Sequence, residues 1–131
     1  MLYNMQKFPL LLLLLVFAAA FNVKAQDANS LINALKAGDA DRVSTYFDRM
    51  LDIKFPEKDE IKSIGKNQAS IALKSFFNEN NINGFEISSQ REMSGVMYIA
   101  GKLTNAGEGY KLSMMIKYKE GRPHILTVRI G

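Results

Sequence analysis

The sequence predicts an α+β domain in which three helices from the N-terminal half pack on a curved antiparallel sheet. Three observations predict this class. Apolar residues recur at helical spacing early in the chain, strand-like alternation fills residues 85–131, and short turns join the strands. An antiparallel sheet with one apolar face must be covered, and the three amphipathic helices are the available cover.

The first 25 residues are predicted to be a cleaved signal peptide. Lys7 precedes the apolar run Leu10–Ala20, and Val23-Lys24-Ala25 places small residues one and three before a cut. The run is too short to span a bilayer, which takes about 20 residues. We therefore expect cleavage between Ala25 and Gln26, a single domain over residues 26–131, and an exported protein, periplasmic or extracellular, with no stable membrane anchor after cleavage. An uncleaved anchor is the alternative.

Composition excludes several classes of protein. The chain has no cysteine, which removes a disulfide framework, a Cys-ligated metal and a lipid-modified N-terminal cysteine. It has one histidine and neither an HExxH sequence nor an EF-hand loop, so no metal or cofactor is expected. The formal charge of +4 falls to +2 without the two lysines of the signal peptide. Nucleic acid is not expected as a partner of an exported protein with so small a charge.

The first half of the mature chain is predicted to hold three helices and a hairpin. Residues 27–37 form a short helix ended by Gly38, and Asp39 caps a second helix that continues through Phe47. Alternation in residues 51–55 predicts a strand, and residues 61–64 predict its hairpin partner. Asn67 caps a third helix, whose periodicity is the strongest in the chain. Its apolar face is formed by Ala69, Ala72, Leu73, Phe76 and Phe77.

The second half is predicted to be a four-strand meander. Alternation begins at Phe85, Val96–Thr104 is a largely apolar stretch, and alternation resumes over residues 110–119. The last strand carries Leu126, Val128 and Ile130. Short turns join these segments, so sequential antiparallel pairing is the simplest topology.

Five segments carry a resemblance to known proteins. They are residues 34–39, 46–47, 73–77, 101–104 followed by Tyr110, and 128–130. These segments resemble an uncharacterised family of small exported bacterial proteins. The order of elements is similar to the nuclear-transport-factor-2-like cone, also called the cystatin-like fold, in which a curved sheet wraps the helices and leaves a pocket. The resemblance implies this fold, but the fold hosts isomerases, hydrolases, dehydratases and noncatalytic binding domains, so it implies no single function.

The carboxylates on the predicted strands are expected to face solvent. Asp52, Glu86 and Glu92 alternate with apolar residues, whereas a catalytic acid or base in a cone pocket must point inward. The sequence therefore favours a noncatalytic small-ligand or protein-binding domain over an enzyme. The alternative is a cone-type isomerase or hydrolase that uses His124 with Asp48, which requires the two side chains to meet in a concave site.

The cone pocket is expected either to accept a small apolar ligand or to be filled core. Tyr98, Tyr118 and His124 share the parity of the inward residues, and they are the expected polar contacts to a ligand. The expected lining is Phe47, Leu51, Ile53, Phe76, Tyr98, Tyr110, Met114, Tyr118 and Leu126.

The opposite face of the sheet is expected to be less polar than a monomer requires. If Val96 and Tyr98 face the helices, five apolar residues fall on the other side, and such a patch indicates an interface. A third hypothesis is therefore a structural or interaction protein that forms a homodimer through this face. The expected interface residues are Met97, Ile99, Leu103, Met115 and Ile125. Basic residues share the face and form either a solvated surface or a site for an anionic partner: Lys111, Lys117, Lys119 and Arg129.

Overall fold

The structure, a computed structural model, describes residues 28–131. The predicted signal peptide and the cleavage site at Ala25 and Gln26 lie outside the described residues. No helix within the described residues is long and apolar enough to cross a membrane. In chain order the elements are α1 (residues 28–36), α2 (Ala40–Ser44), β1 (Phe47–Lys54), β2 (Ile61–Gly65), α3 (Lys66–Glu79), β3 (Gly84–Met93), β4 (Val96–Thr104), β5 (Tyr110–Lys119) and β6 (Arg122–Ile130).

A tight turn separates α1 from α2, as the sequence predicted. Gly38 has a φ of 64°, and a Cβ added there would lie 2.7 Å from the backbone oxygen of Ile82. Both the left-handed backbone and the close approach therefore require glycine. Asp39 caps α2, and its Oδ1 accepts a hydrogen bond of 3.1 Å from the backbone N–H of Arg42.

Helix α2 is shorter than predicted, because it ends at Ser44 and Phe47 begins β1. The hydroxyls of Ser44 and Thr45 donate to the carbonyl oxygens of Ala40 and Arg42, at 2.7 and 2.6 Å. Such bonds occupy carbonyls at the end of the helix and compete with its continuation. The chain turns at this point, and the strand begins four residues earlier than the alternation indicated.

Helix α3 begins one residue before its predicted cap. Asn67 lies in the first turn, Gly65 occupies the N-cap position, and no side chain caps the helix. The predicted apolar face is correct, because Ala69, Leu73 and Phe77 are buried against the sheet.

The sheet has six strands in the order β2-β1-β6-β5-β4-β3, and it is curved and unclosed. Four neighbouring pairs are antiparallel, as predicted, but β1 and β6 are parallel. The expectation of a wholly antiparallel sheet is therefore wrong at this pair. After β2 the chain crosses over through α3, and the meander then returns β6 to lie beside β1 in the same direction.

The pairing of β4 with β5 determines which residues face the helices. We call the helix-covered side of the sheet the inner face and the other side the outer face. Leu112, Met114 and Ile116 are buried on the inner face, and Met114 and Ile116 pair with Ile99 and Met97. Residues directly opposite each other share a face. The predicted parity of β4 is therefore wrong, and its even residues, Val96, Tyr98 and Ala100, lie on the outer face.

A register shift reverses the parity of β6 as well. Ile116 pairs with Ile125, but Met115 pairs with Thr127, so Leu126 is an extra residue in the ladder. Ile125 and Val128 consequently both lie on the inner face, and His124 lies on the outer face beside its partner Lys117. A bulge of this kind cannot be read from simple alternation.

The core lies between the inner face and the helices, and it is almost entirely apolar. Ser44 is the one buried polar residue within residues 28–131. The largest fully buried side chains of the core are Leu31, Leu35, Val43, Ile53, Leu73, Ile99, Leu103, Ile116, Ile125, Val128 and Ile130.

Candidate functional site

A groove opens at one end of the domain, where the C-terminal half of α3 meets the end of β1 and the start of β5. We call it the aromatic groove. Its volume is about 520 Å³, and sites for small molecules typically measure about 300–1,000 Å³. It is lined by Phe55, Pro56, Glu57, Lys58, Ala72, Ser75, Phe76, Glu79, Asn80 and Tyr110.

Three aromatic rings form the apolar part of the groove. The ring centroids of Phe55 and Phe76 are 5.4 Å apart at 38°, and those of Phe76 and Tyr110 are 5.1 Å apart at 70°. These are tilted and edge-on arrangements, in which ring edges approach ring faces. All three side chains pack on the core but are only half-buried. An apolar molecule lying on them would therefore remove further carbon surface from water.

A hydrogen-bond network fixes the polar end of the groove. The Tyr110 hydroxyl donates to Asn80 Oδ1 at 2.8 Å, and Asn80 Nδ2 donates to the carbonyl of Phe76 at 2.9 Å. Asn105 Nδ2 donates to the carbonyl of Asn80 at 2.8 Å. The Tyr110 hydroxyl keeps its acceptor lone pairs, because this bond uses only its proton. A ligand donor can therefore bind a hydroxyl whose position is already set.

The rim of the groove is charged and exposed. Glu57 and Lys58 lie in the turn after β1, and Glu79 Oε1 accepts a hydrogen bond of 3.2 Å from the Ser75 hydroxyl. An apolar wall with a polar rim is the usual composition of a small-ligand site. The arrangement suits a flat apolar molecule that carries a polar substituent.

The structure does not bring together the three side chains predicted to contact a ligand. Tyr118 lies on the inner face and packs on the core. Tyr98 and His124 lie on the outer face, because Tyr98 pairs with Met115 and His124 with Lys117. None of the three lines the aromatic groove. This failure follows from the wrong parity of β4 and β6.

The nine residues of the predicted pocket lining are not all in one place, since Tyr98 lies on the outer face and Leu126 is the extra residue of the β6 bulge. Phe76 and Tyr110 line the aromatic groove, as predicted. Four residues are buried side chains that fill the core: Phe47, Leu51, Ile53 and Met114.

His124 and Asp48 do meet, as the catalytic alternative required, because the parallel pairing of β1 and β6 places them side by side. His124 Nδ1 lies 3.4 Å from Asp48 Oδ1, and Lys119 Nζ lies 3.0 Å from Asp48 Oδ2. Partial burial alone would raise the pKa of Asp48, but the hydrogen bond and charge of Lys119 lower this pKa overall. The backbone hydrogen bond of Arg49 and the electrostatic effect of His124 lower it further by smaller amounts. Asp48 is therefore a stable carboxylate between two basic side chains.

The Asp48 and His124 pair does not lie in the concave site that catalysis was expected to use. Asp48 and His124 lie on the outer face, and neither lines the aromatic groove. Asp48 is held ionised by Lys119, whereas a carboxyl tuned for acid–base work near neutral pH usually has a raised pKa.

The strand carboxylates lie outside the core, although the register shift in β3 pairs Glu92 with Met97 of the inner face, contrary to the predicted parity. Glu86 and Glu92 are exposed. Asp52 is half-buried, and its Oδ1 accepts a hydrogen bond of 2.8 Å from the backbone N–H of Ser63. Within residues 28–131, no three His, Asp or Glu side chains are grouped so that they could hold a metal ion.

The predicted composition of the outer patch is wrong for four of its five residues. Met97, Ile99, Leu103 and Ile125 are buried in the core, and only Met115 lies on the outer face, where it is half-buried. The reason is again the parity of β4 and β6. The same parity places Val96, Tyr98 and Ala100 on the outer face near Met115, so the apolar residues of this face differ from those predicted.

Phe55 and Asn80, which belong to the aromatic wall and the polar end of the groove, were not predicted as site residues. Phe55 is the last residue of a predicted strand, and Asn80 follows the last apolar residue of the predicted third helix. One signal was available for Asn80, because it lies four residues after Phe76 and so shares its side of the helix. Its contact with Tyr110 spans 30 residues and had no local signal.

The fold and the sequence together show which family this is. The family model described as "Domain of unknown function (DUF4783)" matches residues 28–131. The chain belongs to the DUF4783 family. Within that family, the chain resembles a protein of known structure from Bacteroides uniformis, with 19% identity and a TM-score of 0.70, over 78% of this chain and 93% of that one. It also resembles one from Bacteroides ovatus, with 22% identity and a TM-score of 0.68, over 77% of this chain and 90% of that one.

Proteins that are described by their fold share the architecture. An uncharacterised cystatin-fold protein from Novosphingobium aromaticivorans has 16% identity and a TM-score of 0.60, over 82% of this chain and 97% of that one. The predicted nuclear-transport-factor-2-like, or cystatin-like, cone is therefore confirmed. At these identities the likeness shows the fold alone. No protein with a curated description matches the sequence.

Proposed function

We propose that this DUF4783 protein is a noncatalytic binding domain whose aromatic groove accepts a small, flat, apolar molecule with one hydrogen-bonding group. The observation that carries the proposal is the line of half-buried rings formed by Phe55, Phe76 and Tyr110 along an open groove. The core beneath is already filled by buried apolar side chains, so a ligand on the helix side of this end would lie on the exposed parts of these rings.

The polar groups of the groove suggest how a ligand would be oriented. The Tyr110 hydroxyl is held by Asn80 and can accept one more hydrogen bond. A neutral donor such as an indole N–H or a phenol O–H suits this position. Stacking of one aromatic pair contributes about 0.5–1.5 kcal/mol beyond the buried area.

Indole is a suitable probe, because it is flat, apolar and carries one N–H donor. We expect a titration of ¹⁵N-labelled protein with indole to shift the amide signals of Phe55, Phe76, Asn80 and Tyr110. Replacement of Ser75, which lines the groove, by Trp places a bulky ring in that space. Ser75→Trp should therefore abolish the shifts.

A matched control distinguishes blocking from a general effect of adding tryptophan. Ser89 is exposed on the edge strand β3 and does not line the groove. Ser89→Trp should bind indole as the wild type does. Shifts spread evenly over the surface, or equal binding by Ser75→Trp, would exclude the groove as the site.

The contact between His124 and Asp48 supports a second candidate, an isomerase or hydrolase, because a carboxylate beside an imidazole can orient it as a base. Hydrolysis of p-nitrophenyl acetate gives a direct test. A catalytic His124 requires a large fall in rate for His124→Asn. Equal rates for the wild type and the variant would dismiss this candidate.

Homodimerisation, the third hypothesis, would use an outer face whose apolar residues differ from those predicted. Met115 is the one predicted interface residue on the outer face; its direct partners are Tyr98 and Thr127, and Lys117 is the next residue of β5 on that face. Two copies paired through this face would bring like charges together. If the protein nevertheless dimerises there, sedimentation at tens of micromolar should show a dimer that Met115→Lys dissociates.

We also propose that the protein is exported after cleavage at Ala25, on the evidence of the N-terminal sequence pattern alone. Intact-mass measurement of material from the native host should give a chain that starts at Gln26. A mass that includes residues 1–25 would refute the proposal.

A further inference from the structure

The outer face carries a second concave site at the same end of the sheet as the aromatic groove. It is a shallow depression of about 650 Å³ that crosses five strands, from β1 to β3. We call it the basic depression. Its charged lining residues are Lys54, Lys102, Lys111, Arg129 and Glu86.

Two of the lysines that line the depression are neighbours on adjacent strands. Lys102 and Lys111 are direct partners in the antiparallel pairing of β4 and β5. Like charges at such positions are destabilising. Within residues 28–131, neither ammonium group makes an ion pair or a hydrogen bond. An anion between them would relieve the repulsion.

The other charges of the depression are partly balanced. Arg129 Nη2 lies 3.1 Å from Glu60 Oε1, and the ammonium group of Lys54 donates to the carbonyl of Phe55 at 3.3 Å. Glu86 is in register with Lys102 but forms no ion pair with it among the described residues. The depression therefore keeps an excess of positive charge, which Lys54, Lys102 and Lys111 supply.

The surface around the two lysines offers carbon and hydroxyl groups. Ala100 lies next to Lys102 on the outer face, and Ile87 also lines the depression and is partly exposed. Ser113 is exposed beside Lys111, and the Ser88 hydroxyl donates to the carbonyl of Ala100 at 3.0 Å. The aliphatic stems of lysine add apolar surface below their charged ends. A purely inorganic anion would leave this carbon surface unused.

We propose that the basic depression binds a small amphiphilic anion, with a phosphate or carboxylate head group between Lys102 and Lys111 and an aliphatic portion on the carbon surface beside them. The head group receives charge-assisted hydrogen bonds, which are among the strongest available to a protein. The site is separate from the aromatic groove, since the two lie on opposite faces of the sheet and share no lining residue.

Titrations of ¹⁵N-labelled protein test both parts of the proposal. The probes are octyl phosphate and octanoate, which share the tail but differ in head group, together with inorganic phosphate and octyltrimethylammonium. We expect the two octyl anions to shift the amide signals of Ala100, Lys102, Lys111 and Ser113. Of octyl phosphate and octanoate, the one that binds more tightly identifies the preferred head group. Inorganic phosphate should bind at least tenfold more weakly, and the cation should not bind.

A double variant with a charge-matched control identifies the lysines involved. Lys102→Gln with Lys111→Gln should weaken binding of the tighter octyl anion by about tenfold or more, because charge-assisted hydrogen bonds are lost. The control is Lys62→Gln with Lys117→Gln, which removes the same charge at exposed positions outside the depression. The control should bind with unchanged affinity.

Three results would overturn the proposal. The first is equal affinity of the Lys102/Lys111 variant and the wild type, and the second is an equal loss in the control, which would indicate only non-specific attraction to net charge. The third is equal binding of inorganic phosphate and octyl phosphate, which would remove the role of the apolar surface.

Since the Gln variants relieve repulsion, they should unfold at a temperature no lower than that of the wild type.

Discussion

The orientation of β4 gives the most demanding prediction about the fold. Ile99 is 1% exposed and lies on the inner face, whereas simple alternation from Val96 placed it outside. Ile99→Ala removes three carbon atoms from a filled core. At about 0.8 kcal/mol for each buried carbon, transfer alone costs about 2.4 kcal/mol. The remaining cavity adds to this, so we expect a loss of about 3–4 kcal/mol in the free energy of unfolding.

Urea denaturation followed by circular dichroism measures this loss. The matched control is Ile71→Ala, because Ile71 is 71% exposed on α3. The control should change stability by no more than about 0.5 kcal/mol, since surface substitutions rarely do more. The urea concentration at the unfolding midpoint should be lower for Ile99→Ala than for the wild type. The slope of unfolding free energy against urea concentration should change little. A loss below about 1 kcal/mol would show that Ile99 is not in the core and would refute the register of β4 with β5.

Three further predictions concern individual contacts. The pKa of Asp48 is lowered from 3.8, so its ionisation stabilises the fold above that pH, and this stabilisation is lost as pH falls through the lower, folded-state value. The stability difference between wild type and Asp48→Asn, measured by urea denaturation, should therefore shrink below pH 3.8, and a constant difference would contradict the ion pairs described. Tyr110→Phe removes the bond to Asn80 and should cost about 0.5–1.5 kcal/mol by the same method, with no change expected if the hydroxyl is only solvated. Gly101→Ala adds a Cβ that would clash with the backbone oxygen of Glu86 and lie only 2.6 Å from Phe85 Cζ, so it should cost about 1–3 kcal/mol by overpacking, and a neutral result would contradict the close approach of β3 to this glycine.

Local patterns in the sequence were sufficient for the class of the fold. The periodicity of α3 correctly predicted its buried face, and the alternation of β5 correctly placed Leu112, Met114 and Ile116 inside. Asp39 and Gly38 gave the boundary between the first two helices correctly. Each of these signals depends on residues close together in the chain, so each can be read without tertiary information.

The errors arose where tertiary contacts determine a local choice. Val96–Thr104 is apolar on both sides, and its inner face is selected by pairing with β5, in which Leu103 is opposite Tyr110. That constraint was available from the sequence, because the turn at residues 105–109 fixes the register. The bulge at Leu126 had no comparable signal, and it reversed the orientation of His124.

The candidate site was only partly predictable for the same reason. Phe76 and Tyr110 were correctly expected to line a pocket, because each belongs to a clear periodic pattern. The groove itself depends on where β1 ends relative to α3, and Phe55 and Asn80 reach it through contacts between segments distant in sequence.

Native mass spectrometry of the protein purified from its own host tests the central claim most directly. We predict a small-molecule adduct on the wild-type chain and on Ser89→Trp, and its absence from Ser75→Trp, in which the groove is filled. A wild-type chain that carries no adduct, or an adduct that survives in Ser75→Trp, would contradict the claim that the groove between α3, β1 and β5 is a ligand site.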